Sequence, residues 1–124
     1  MKTNLSDGEW KLMNRLWEDT PLTITQLTAA LQEETGWGKH TVITMLSRLE
    51  DKGAVHHDGG TPKHYSAILQ KEDAAQSETK SFLDKVYGGR LGLMMSAMVD
   101  SQTLTQEDID ELTAILENAK EGEK

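Results

Sequence analysis

Residues 36–65 read GWGKHTVITMLSRLEDKGAVHHDGGTPKHY. Val42, Met45, Leu46 and Leu49 recur at the spacing that puts them on one face of a helix starting near Gly38 or Lys39, and Gly53 suits the left-handed residue that ends it. Ala54 to His57 and His64 to Leu69 then flank DGGTPK, where Asp-Gly-Gly favours a turn and Pro62 opposes a helix. The stretch predicts an amphipathic helix closed by a short β-hairpin.

Two more helices precede it. Ser6 followed by Glu9 forms a capping box for a helix carrying Trp10, Leu12, Met13, Leu16 and Trp17, which Thr20-Pro21 ends; both tryptophans are expected in the core. Thr23 with Gln26 caps the next, with Ile24, Leu27 and Leu31 on one face and Thr35-Gly36 as its stop. Three helices and a hairpin predict a winged helix-turn-helix domain over residues 1–70, within a mainly α chain. After Lys71 three further helices are expected. One runs from about Glu72 to Tyr87, one follows Gly88-Gly89 with Leu91, Leu93, Met94, Met95, Met98 and Val99, and one is capped by Thr105 and carries Ile109, Leu112, Ile115 and Leu116. Some fifty residues are too few to enclose a core. Residues 71–124 therefore either pack back on the first domain or form a three-helix homodimerisation region, with Phe82, Val86, Leu91, Met94, Met98, Ile109, Leu112, Ile115 and Leu116 as candidate contacts.

The chain of 124 residues has formal net charge −8, with the acid unevenly placed. Residues 1–70 hold seven Lys/Arg against nine Asp/Glu, and residues 71–124 hold six against twelve. The helix and hairpin themselves, residues 39–70, are nearly neutral, so acidity argues only weakly against a nucleic-acid surface there. There is no cysteine, which removes disulfides and thiolate metal sites. No signal peptide or membrane span is recognisable, so a cytoplasmic protein without membrane insertion is expected. No HExxH, GxSxG, P-loop or GxGxxG motif occurs, so no enzyme, catalytic residue or cofactor is expected.

On a helical wheel, the face opposite Val42 and Leu46 holds His40, Thr44, Ser47 and Asp51, flanked by Thr41, Ile43 and Arg48. Hydroxyls can bond bases or phosphates, threonine methyls can meet thymine methyls, and arginine pairs with phosphate or guanine. On the hairpin Lys63 and His64 can reach a phosphate or the minor groove, while Tyr65 anchors the strands. A plain solvated face is the simpler reading of the same pattern. His56 and His57 point to opposite sides of a strand, so no metal site is expected from the hairpin histidines.

LSDGEWKLMNRLWEDTPLTITQL, GWGKHTVITMLSRLEDKGAV, the wing, SFLDKVYGG and LTQEDIDELTAIL together resemble the penicillinase-repressor family over about residues 5 to 118. That family includes repressors of β-lactamase and of methicillin resistance, and copper-responsive relatives. The resemblance implies a homodimeric transcriptional repressor on a palindromic, double-stranded DNA operator. It implies DNA contacts at Lys39, His40, Thr41, Thr44, Arg48 and Lys63, and dimer contacts across the C-terminal helices. It also implies relief of repression by cleavage at Ala97–Met98, set off by a membrane sensor protease that answers a β-lactam or another cell-envelope signal. Methicillin-type relatives carry arginine where this chain has Ile43, and the usual cleaved pair is Asn-Phe. The cysteine motif of copper-responsive relatives is absent. The alternatives are a winged helix used for protein docking, or a repressor answering a different small-molecule or metal signal.

Overall fold

The computed structural model describes residues 4–122. Its elements run α1 (Asp7–Glu18), β1 (Leu22–Thr23), α2 (Ile24–Thr35), α3 (Lys39–Asp51), β2 (Val55–His57), β3 (His64–Ala67), α4 (Lys71–Tyr87), α5 (Leu91–Asp100) and α6 (Gln106–Gly122). Helices and hairpin follow the sequence expectation closely, and this is a winged helix-turn-helix fold. Each of the three caps read from sequence closes. Ser6 and Glu9, Thr23 and Gln26, and Thr105 with Asp108 exchange side-chain and backbone bonds of 2.8–3.2 Å, pairing helix-start N–H groups that would otherwise stay unsatisfied.

The sheet has three strands in the order β1-β3-β2, all antiparallel. The hairpin pairs Val55 with Ala67 and His57 with Tyr65, and β1 adds Leu22 opposite Tyr65. Strand β1 was not expected. Two residues are too short to show alternation, and Thr23 both pairs in the sheet and caps α2.

The chain forms two compact units, residues 1–79 and 80–124. In the first, Leu12, Met13 and Leu16 of α1, Leu27 and Leu31 of α2, and Val42, Leu46 and Leu49 of α3 are buried together with Val55 and Tyr65 of the sheet. Trp10 and Trp17 depart from expectation. They sit partly buried at the edge of this core, edge to face with ring centroids 5.7 Å apart. Each indole N–H needs an acceptor, and finds it near or in α4: Trp17 Nε1 donates to the Leu69 carbonyl (2.8 Å) and Trp10 Nε1 to Glu78 Oε1 (3.3 Å). Ala74 of α4 is buried in the same core cluster. The first half of α4 thus belongs to the first unit, which moves the boundary from the expected Lys71 to Lys80.

A Cβ on Gly8 would meet the end of the Met45 side chain and crowd the Trp37 ring at 3.2 Å, so α1 passes close to the second turn of α3 and the residues before it at this glycine.

In the second unit no described residue is buried. Phe82, Val86, Leu91, Ile109, Ile115 and Leu116 are exposed, and Leu93 and Val99 join them. Met94, Met98 and Leu112 are half-covered. Phe82 packs edge to face with Tyr87 at 6.1 Å.

Candidate nucleic-acid interface

Helix α3 buries Val42, Leu46 and Leu49 and exposes Lys39, His40, Thr41, Ile43, Thr44, Ser47 and Arg48. His40, Thr41, Thr44, Met45 and Arg48 line a shallow, open concavity of about 320 Å³. Lys39 and Ser47 stand on the same helix outside it, and Lys63 and His64 are not among its lining residues. Gly38 precedes α3 without a side-chain cap. The first N–H groups of the helix therefore face outward with the positive end of its dipole, a ready anion site.

Thr44 Oγ1 donates to the His40 carbonyl at 2.9 Å. Its hydroxyl hydrogen is committed, so in this rotamer Thr44 offers a neighbour a methyl group and an accepting oxygen but no donor. Sequence alone left that hydroxyl free to donate.

The charge near α3 is also redistributed by pairing. Lys52, counted in sequence with the basic residues of this region, turns away to Glu9. Its Nζ lies 2.6 Å from Glu9 Oε1 and 2.7 Å from the Asn4 carbonyl. Burial pushes the Glu9 carboxyl up, but the Lys52 hydrogen bond, the Ser6 N–H and the Lys52 charge outweigh it, and the group sits below its ordinary value. Lys39, Arg48 and Lys63 enter no ion pair among the described residues. They are the cations this face can offer to phosphate.

The hairpin is tied to α3 and braced at its tip. His57 Nε2 lies 3.2 Å from Glu50 Oε2, its ring is 5.4 Å from that of Tyr65, and its Nδ1 accepts from the Gly59 N–H at 3.0 Å. Asp58 Oδ1 accepts from the N–H groups of Gly60 (2.9 Å) and His64 (3.0 Å), and Oδ2 lies 3.3 Å from His64 Nδ1. Those backbone N–H groups, Gly60 first, hold the Asp58 carboxyl below its usual value, helped by the His64 charge. His64 is thus partly engaged within the turn, while Lys63 is exposed. No group of three or more His, Asp or Glu side chains able to hold a metal occurs among the described residues. No described helix is long and apolar enough to cross a membrane.

Sequence reading missed the Glu9–Lys52 and Glu50–His57 links. Glu9 was legible only as a cap residue, because its second partner lies 43 positions away.

Three packed helices, a three-stranded sheet that carries the hairpin wing, and an outward polar face on the third helix define a winged helix-turn-helix protein. The chain belongs to the penicillinase repressor family, whose model matches residues 5–118. It is 31% identical over 121 residues to the penicillinase repressor of Bacillus licheniformis, covering 97% of this chain and 94% of that one. It is 28% identical over 114 residues to the methicillin resistance regulatory protein MecI of Staphylococcus aureus strain N315, covering 90% and 92%. Among solved structures, the monomeric form of B. licheniformis BlaI in complex with the blaP half-operator is similar with a TM-score of 0.51 at 27% identity. That similarity covers 59% of this chain and 90% of the other.

Proposed function

We propose that this protein is a transcriptional repressor that binds double-stranded operator DNA through α3 and the wing. The observation that carries the reading is the α3 face itself. Its His40, Thr41, Thr44 and Arg48 concavity lies beside an uncapped helix start, with Lys39 and Lys63 outside ion pairs. Base-edge chemistry falls to Thr41, Thr44, Ser47 and Arg48, and phosphate positioning to Lys39, Lys63, the α3 N-terminus and, more weakly, His40 and His64. Membership of the penicillinase repressor family and the likeness to a half-operator complex support the same assignment.

The repressor acts as a homodimer on a palindromic site, and the exposed apolar residues of α4, α5 and α6 supply the dimer contacts. Exposed Phe82, Val86, Leu91, Ile109, Ile115 and Leu116 support this, because so much aliphatic surface on one small unit favours association. Relief comes from cleavage between Ala97 and Met98 in α5, driven through a membrane sensor protease by a β-lactam or other cell-envelope signal. Both residues lie inside the helix, where the Ala97 carbonyl accepts from Ser101 N–H. Cleavage there requires α5 to open first, since proteolysis acts on locally unfolded chain.

A protein-docking module is the second reading, and the net charge of −8 favours it. Replacing Thr44 and Arg48 with Ala separates the two. Repression predicts lost operator affinity with the dimer intact, and docking predicts no DNA phenotype.

A further inference from the structure

Ile43 is the one large aliphatic side chain that α3 leaves open, 43% exposed at the flank of a face made of hydroxyls, imidazole, cations and the Asp51 carboxylate. It is one helical turn from Lys39, His40 and Ser47, so it stands on the flank of the surface proposed to enter the groove. Its β-branch restricts it to essentially one rotamer in a helix, which makes it a stiff apolar knob. The four apolar residues of the α3 core stripe are covered or half-covered, and Ile43 lies outside that stripe. Exposing it to water gains the fold nothing.

The major groove offers one apolar feature, the thymine 5-methyl group; every other base edge there is a hydrogen-bond donor or acceptor. We infer that Ile43 is a specificity-determining residue that packs against a thymine methyl in each half-site. This rests on the DNA-binding reading above. Thr44 reinforces it, because its hydroxyl hydrogen is held by His40 and its methyl and acceptor oxygen are what remain for a base pair. A cytosine at that position would present an amino donor to Ile43, which has no acceptor for it.

The test uses the full-length protein and a duplex that it selects itself from a randomised 30-base-pair library. Each thymine of the selected duplex is replaced singly by uracil, which removes the methyl and leaves pairing unchanged. Affinities are measured for the wild type and for Ile43→Ala and Ile43→Val. One thymine per half-site is expected to cost the wild type about fourfold on replacement, the worth of one buried methyl. Ile43→Ala should bind the thymine and uracil duplexes alike at that position, and Ile43→Val should keep most of the discrimination. Thermal melting should match the wild type within a few degrees, since Ile43 lies outside the buried core. The inference is overturned if no thymine shows a methyl effect, or if Ile43→Ala keeps the wild-type effect at every thymine. If the library yields no preferred duplex at all, the DNA-binding reading itself fails, and this inference with it.

Discussion

Lys52 Nζ meets Glu9 Oε1 at 2.6 Å, joining the C-terminal cap of α3 to the first turn of α1 across 43 residues of chain. Glu9 is 2% exposed, so its charge depends on this partner and on the Ser6 cap. Replacing Lys52 with Ala leaves a buried carboxylate short of one hydrogen bond. We expect a loss of about 1–3 kcal/mol in denaturant unfolding, whereas Glu9→Gln, which keeps the cap acceptor, should cost less.

The same pair fixes an acid dependence. The Glu9 carboxyl is lowered in the folded state, so its contribution is complete above the ordinary carboxylate value near 4.5 and is lost as pH falls through the lowered value. Wild-type stability should therefore drop in that window below about pH 4.5. Lys52→Ala removes two of the effects that lower the Glu9 carboxyl and leaves its burial, so in that variant the acid-dependent drop should shrink or reverse, which chemical denaturation at a series of pH values will read.

Leu116 is 63% exposed in α6 and Val86 is 50% exposed in α4. If these faces form the dimer, Leu116→Asp or Val86→Asp should weaken it at least tenfold, since a charge in an apolar contact costs more than about 1.4 kcal/mol. Sedimentation equilibrium should show this while the helical circular dichroism is kept. The apparent Tm of the wild type should rise with protein concentration, and that of the variants should not.

Ending the chain after Ala97 removes α6 and the end of α5. The truncated protein is expected to sediment as a monomer and to bind operator with lower affinity, because two half-site contacts are no longer linked. A truncated chain that stays a tight dimer would remove cleavage at Ala97–Met98 as the release step.

How much of this could be seen beforehand follows from the physics of each feature. Ser6, Thr23 and Thr105 announced their helices because capping is local, and DGGTPK announced the wing because few residues suit such a turn. The α3 face was legible from periodicity alone. What escaped depended on distant partners. Strand β1 exists through β3, the Trp10 and Trp17 indoles hold the first half of α4 through bonds to Glu78 and Leu69, and Ala74 is too small to advertise its burial. Those contacts put the unit boundary at Lys80 rather than Lys71. Thr44's committed hydroxyl and Lys52's diversion to Glu9 likewise changed which groups α3 can offer, though not which residues face outward.

The central claim is sequence-preferring binding of duplex DNA by α3 and the wing. Its most direct test is a fluorescence anisotropy titration of the full-length protein on its own promoter duplex and on a scrambled duplex, each at a low and a moderate salt concentration. Binding to the promoter duplex should be tighter at both, with affinity falling as salt rises. The log–log slope should lie between about −3.6, with Lys39 and Lys63 of two protomers on phosphate, and about −5.4, with Arg48 on phosphate as well. Equal affinity for the two duplexes, or no binding at low salt, would contradict it.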